Sequence, residues 1–159
     1  MAEFDFIGPS DKPALVAVTD AERQVAAKNA LLDLGYKVHC IDTHEEFPTR
    51  YAEVQYQVVV LDESFAGESI ADNRTLYYLQ HLAMHERRHS TLLLVGPSFE
   101  TLNALQAFQQ SVHAVINYSE WSLLGQLLQK VVAENELFLT TFRQTIVRVA
   151  QNRADTGRR

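Results

Sequence analysis

Five short apolar runs, each followed by a segment with helical character, constrain this chain more than any other feature. They are Ala14–Val18, Val38–Ile41, Tyr56–Leu61, Thr91–Val95 and Val112–Ile116. Between them the spacing predicts helices over Ala21–Leu34, His44–Gln55 (short or broken, because it contains Pro48), Asn73–His89 and Phe99–Gln110. A last, long helix follows from Trp121 to about Asn152. Gly35 supplies the left-handed stop after the first helix, and Gly96-Pro97 ends the fourth run. Val58-Val59-Val60-Leu61 shows no polar alternation, as expected of a parallel strand covered on both faces. Parallel strands joined by helices force right-handed crossovers, so the expected architecture is one doubly wound α/β sheet in the order 2-1-3-4-5.

The totals agree with one domain carrying a real core. At 159 residues, 47% hydrophobic and 21% charged, the chain is long enough to bury most of its apolar surface without a metal or disulfide. Cys40 is the only cysteine, which points to a reducing, cytoplasmic setting. No run approaches the ~18 apolar residues of a membrane span. Arg143, Arg148, Arg153, Arg158 and Arg159 make the C-terminus basic and leave the rest of the chain more acidic than the net charge of −6. Such a body disfavours nucleic acid and membrane surfaces.

In a sheet of this order the functional crevice lies at the carboxyl ends of the strands. Those ends read Thr19-Asp20, Asp62-Glu63-Ser64, Gly96-Pro97-Ser98 and Asn117-Tyr118-Ser119. Asp20, Asp62 and Glu63 form a candidate acidic pocket, and the pair Asp20 and Asp62 is a candidate Mg²⁺ site. The strip Leu15-Val16-Ala17-Val18-Thr19-Asp20, with Leu34-Gly35-Tyr36 after a helix and Val59-Val60-Leu61-Asp62 later, resembles response-regulator receiver domains of the CheY-like, flavodoxin-like fold. The resemblance runs to about Val132. It implies a receiver-like domain over residues 1–132 and a helical extension with a basic tail over 133–159.

The resemblance also implies that Asp62 occupies the phosphoacceptor position. Three departures stand beside that match: one of the family's two acids is replaced by Thr19, its strand-four hydroxyl by Gly96 and its strand-five lysine by Asn117, with Tyr118 next to it. A receiver lacking the lysine and the hydroxyl loses much of what stabilises a bound phosphoryl group. The expectation is therefore a degenerate, non-enzymatic pseudo-receiver with no required cofactor, signalling through protein–protein contact. The alternatives are an atypical phosphorylatable receiver using Asp62, and a flavin- or nucleotide-binding protein on the same fold.

Two further patterns carry expectations. His81, His85 and His89 share one face if their helix is continuous, a spacing able to hold Zn²⁺ or Ni²⁺, although a solvated face is the expected reading. In the last helix, Leu124, Leu128, Val131, Asn135, Phe138, Phe142 and Val149 form a heptad-like seam, with Asn135 as a register-fixing polar residue. Leu123, Leu124, Leu127, Leu128, Val131 and Val132 of the first half are expected to pack on the sheet, while Leu137, Phe138, Phe142, Ile146, Val147 and Val149 of the second half would expose an apolar stripe, whose expected partner is a second copy, making a homodimer.

Overall fold

A computed structural model describes residues 6–157. The elements run β1 (Pro13–Ala17), α1 (Ala21–Asp33), β2 (Lys37–Cys40), α2 (Glu46–Glu53), β3 (Val58–Asp62), α3 (Arg74–His81), α4 (Met84–Arg87), β4 (Thr91–Val95), α5 (Ala104–Gln110), β5 (Ala114–Ile116) and α6 (Leu124–Thr156). The strands form one parallel sheet in the expected order β2-β1-β3-β4-β5. Val16 pairs with both Cys40 and Val60, and Asp62 pairs with Val95 at the carboxyl edge.

Strand alternation divides the core in two. Leu15, Val59, Leu61, Leu92, Leu94 and Val115 face a layer that includes Phe47, Tyr51, Leu76, Leu79 and Ala107 from α2, α3 and α5. Val16, Val58, Val60, Leu93 and Ile116 face Ala27 and Leu31 of α1 and Leu124 and Leu128 of α6. A strand covered on both faces has no polar side to show, which is why β3 reads as an unbroken apolar run. Gly35 takes φ +86 after α1, the conformation for which a glycine stop is suited. Pro48 sits in the first turn of α2, where its missing N–H breaks no helical bond.

The helix expected from Asn73 to His89 is instead two. Leu82 and Ala83 are both extended (ψ 142 and 146), separating α3 from α4. Arg87 braces the break: its buried guanidinium donates to the Leu79 carbonyl at 3.0 Å, which also accepts the Leu82 N–H at 3.4 Å, and to the Ser111 carbonyl. The three histidines therefore share no face. His81 stacks on Tyr77 and His89 stacks on Tyr51. No cluster of three or more metal-ligating side chains occurs among the described residues.

At the same edge His113 accepts the Leu92 N–H through Nδ1 at 2.9 Å. Although the residue as a whole is exposed, desolvation of the ring around the nitrogen bonded to Leu92, assisted by the Arg87 charge, pulls its pKa from the usual 6.5 down to about 4. Above pH 6.5 both folded and unfolded chains keep this ring neutral. Below it the unfolded chain takes up a proton that the native ring refuses, so stability contributed here falls between pH 6.5 and about 4. Urea midpoints should drop between pH 7.5 and pH 5, and the drop should be smaller in His113→Gln.

The last helix is 33 residues long, about 50 Å at 1.5 Å per residue. It runs unbroken through position 132, where the sequence suggested a domain boundary, and it packs onto the body as far as Leu139. Its buried row is Leu124, Leu128, Val131 and Leu139, with half-buried Asn135 donating to Thr91 Oγ1 at 2.9 Å. The expected seam thus divides. Leu124, Leu128, Val131 and Asn135 serve their own domain, while Phe138, Phe142 and Val149 are 68%, 38% and 46% exposed. A straight helix on a sheet follows a 3.6-residue period, so the stripe drifts from the heptad position Phe138 to Leu139.

Candidate functional site

The carboxyl ends of β1, β3, β4 and β5 converge on Asp62. Asp62 is 2% exposed, and its Oδ1 accepts the Ser64 N–H at 3.0 Å, the Ser64 hydroxyl at 3.1 Å and the Tyr118 hydroxyl. Burial, the bond to Asp62 and the Asp62 charge push the Tyr118 phenol well above its usual pKa of 10. It therefore stays a donor across the physiological range. Tyr118 reaches the carboxylate from the short 3₁₀ turn Tyr118–Leu123 after β5, and the Arg23 guanidinium lies 3.8 Å from the centre of its ring.

Glu63 fills the next position. Its side chain is 8% exposed, lies across Gly96 and accepts from the Ser98 hydroxyl through Oε1 at 2.9 Å. A Cβ at position 96 would stand 2.6 Å from Glu63 Oε2 and nearer still to Cγ and Cδ. Gly96 is thus the space that Glu63 occupies. The second carboxylate oxygen of Glu63 is buried with no hydrogen-bond partner.

The remaining strand-end residues have local duties. Asp20 is exposed and caps α1, accepting the Arg23 N–H through Oδ1 at 2.9 Å. Thr19 Oγ1 accepts the Ala66 N–H at 2.8 Å, tying β1 to the loop after β3, where Ala66 (φ 59) and Gly67 (φ 77) take left-handed conformations. Asn117 caps the turn after β5 by accepting the Ser119 N–H at 2.8 Å, and it donates to the Phe99 and Pro97 carbonyls at 2.7 and 3.3 Å. Asn73 closes the far side, donating to the Asp62 and Glu63 carbonyls. Of the sequence-selected residues the structure brings Tyr118 to Asp62 and Gly96 to Glu63, whereas Thr19, Asp20 and Asn117 are bonded to backbone groups of Ala66, Arg23, Ser119, Phe99 and Pro97. Oδ1 of Asp62 is held by three donors, and Oδ1 of Asp20 is turned to its helix cap.

No protein-family model matches the chain, and comparison with curated proteins gives no match. Solved structures do match. A response regulator from Thermotoga maritima superposes with TM-score 0.61 at 14% identity, over 77% of this chain and 98% of that one. The chemotaxis response regulator CheY4 of Vibrio cholerae gives 0.62 at 11% identity, over 77% and 99%. This chain has the CheY-like receiver fold. A fusion chain carrying the trimeric coiled-coil segment of yeast Spc42 matches at TM-score 0.60 and 15% identity, over 96% of this chain and 100% of that one. That coverage takes in most of α6, which two matches at 77% do not require.

Within that fold Asp62 stands at the end of β3 and Asn117 directly follows β5. Cys40 lies half-buried on β2 against the α1 face, the small core residue its surroundings require. Sequence reading identified Asp62, Glu63, Gly96 and Tyr118 individually. The Tyr118–Asp62 bond and the packing of Glu63 over Gly96 depend on contacts between separate strand ends and carry no local signal. No helix among the described residues is long and apolar enough to cross a membrane.

Proposed function

We propose that this chain is a receiver-fold signalling module that works without phosphorylation, through protein–protein contact, with α6 carrying the contact to a second copy. The observation that carries the reading is the state of Asp62: one of its two carboxylate oxygens, Oδ1, already accepts from Ser64 and Tyr118. Each charge-assisted bond of this kind contributes about 1.5–3 kcal/mol, and forming an acyl phosphate removes the carboxylate charge that strengthens them. A phosphoryl dianion beside the buried Glu63 would also face repulsion, and position 117 supplies a neutral amide in place of an ammonium. The scaffold needs neither Mg²⁺ nor another cofactor in this reading. The acidic body favours protein partners over nucleic acid, and a sequence with a single cysteine suits a cytoplasmic setting.

Incubation with acetyl phosphate and Mg²⁺, followed by intact-mass measurement and phosphorus NMR, tests the inactive site. The expected spectrum shows unmodified protein. A phosphoryl adduct that disappears in Asp62→Asn would overturn the reading in favour of an atypical phosphorylatable receiver.

A further inference from the structure

Just ahead of α2, the ring of His44 (5% exposed) is held between the loop that follows β3 and the first turn of α3. Its Nδ1 accepts the Thr75 N–H at 3.3 Å and lies 2.8 Å from the Thr75 hydroxyl, which is also buried. A backbone N–H can only donate, so Nδ1 is the bare nitrogen and Nε2 carries the proton of the neutral ring. Thr75 stands in the first turn of α3, where N–H groups find no acceptor within the helix. Asn73 Oδ1 takes the Leu76 N–H at 3.0 Å and the imidazole takes that of Thr75, so two side chains cap one helix. On the far side of the ring, Nε2 is buried without a hydrogen-bond partner, 3.6 Å from Oε2 of Glu68, a half-exposed residue of the loop after β3. The Phe65 ring packs edge-on against the imidazole, with 5.0 Å between centres.

We propose that His44 is a proton-operated latch on α3: neutral, it caps the helix through Nδ1; protonated, it releases the Thr75 N–H and pairs with Glu68. An imidazolium carries hydrogen on both nitrogens. Nδ1–H then confronts the Thr75 N–H, donor against donor, and is satisfied only when the Thr75 hydroxyl turns to accept it. Nε2–H gains the Glu68 carboxylate as a charged partner, while the Thr75 N–H is left without an acceptor. The surroundings set the direction. Desolvation of the ring opposes the charge most, and Arg74 opposes it as well, whereas Glu68, Glu45 and the Phe65 backbone favour it. Glu45 is itself engaged by Arg74 at 2.8 Å, and the positive end of the α3 dipole adds to the opposition. The balance lies below the usual 6.5, so the latch is closed at neutral pH and opens as the pH falls beneath that value. Opening reaches the surface. Glu68 lines a shallow depression beside α3 together with Asp72 and Arg74, and a Glu68 drawn to the ring leaves Asp72 as the only carboxylate there. The latch concerns α3 and the loop after β3 and is independent of the contact role of α6 proposed above.

The test is NMR on the full chain, following the His44 ring nitrogens and the Thr75 amide from pH 7.5 to pH 5. The neutral ring should be the Nε2–H tautomer, with a titration midpoint below 6.5. The protection factor of the Thr75 amide against hydrogen exchange should fall about tenfold or more in step with that titration, while the Leu76 amide, capped by Asn73, keeps its protection. Glu68→Gln removes the charge that favours the imidazolium and should move the His44 midpoint downward. His44→Asn offers an acceptor that does not titrate, so Thr75 should stay protected at both ends of the range. An Nδ1–H tautomer at pH 7.5, or a Thr75 amide whose protection ignores the His44 titration, would overturn the latch, as would an acid response undiminished in His44→Asn. If the asparagine variant does not fold, the tautomer and exchange data of the parent decide alone.

Discussion

Gly96→Ser, which returns a hydroxyl to the end of β4, is expected to lower stability by about 1–3 kcal/mol. The new Cβ would enter the volume of the Glu63 side chain, 2.6 Å from Oε2 and closer to Cγ and Cδ. Two relaxations are open. If Glu63 stays, the strand end is overpacked, at a typical cost of about 1–3 kcal/mol. If Glu63 swings out, its Oε1 loses the Ser98 hydroxyl, and a hydrogen bond to a charged group is worth about 1.5–3 kcal/mol. A double-mutant cycle in urea separates this from a simple loss of glycine. In a Glu63→Ala background the serine should be nearly neutral, giving a coupling of about 1–3 kcal/mol. Equal costs in both backgrounds would mean that Glu63 does not govern position 96.

The departures from the receiver pattern are thereby linked rather than independent losses. A glycine at 96 creates room, Glu63 occupies it, and Glu63 in turn is anchored by Ser98. Tyr118 caps Asp62 with a phenol whose pKa is held above its usual value, so ordinary pH changes do not release it. Thr19 holds Ala66 and so fixes the loop that follows Asp62. Reverting one of these positions disturbs a neighbour that has packed against it.

The sheet was legible because its signals are local. Val58–Leu61 is an unbroken apolar run, Gly35 marks a helix stop, and Pro48 sits where a proline is tolerated. The break between α3 and α4 was not legible. No glycine or proline marks Leu82-Ala83, and the brace across it, Arg87 on the Leu79 carbonyl, comes from later in the sequence. The packed first half and exposed second half of α6 were legible, but the residue at which the buried stripe leaves the heptad was not. Over the first turns a heptad and a 3.6-residue stripe select the same residues, and they part only at Phe138 and Leu139, where burial falls on Leu139. Asn135, legible as polar within an apolar row, could be assigned to Thr91 only once β4 was placed beneath it. At the strand ends, sequence located Asp62, but the hydroxyl that occupies it comes from a turn 56 residues away.

Asn117→Lys is the second substitution with a large expected effect, because it restores the cation of the receiver pattern at the place where this chain has built a joint. Asn117 accepts from Ser119 N–H to cap the turn that carries Tyr118, and it donates to the Phe99 and Pro97 carbonyls of the loop before α5. Lysine has no acceptor for the cap, at about 1 kcal/mol, and its ammonium cannot reproduce both carbonyl bonds in the amide's plane, at about 1 kcal/mol each. The sum of about 2–3 kcal/mol corresponds to a melting temperature lower by roughly 5–12 °C for a domain of this size. Asn117→Asp keeps the cap and loses the two donors, so it should fall between the parent and the lysine variant. Because the cap positions Tyr118, the lysine variant should also loosen the Tyr118–Asp62 bond, detectable as a Tyr118 titration moved back toward 10. With Glu63 still buried beside Asp62, acetyl phosphate should nevertheless leave the variant unmodified. A lysine variant as stable as the parent and readily phosphorylated would show that the missing charge alone had silenced the site, and that the packing around Gly96 and Tyr118 had no part in it.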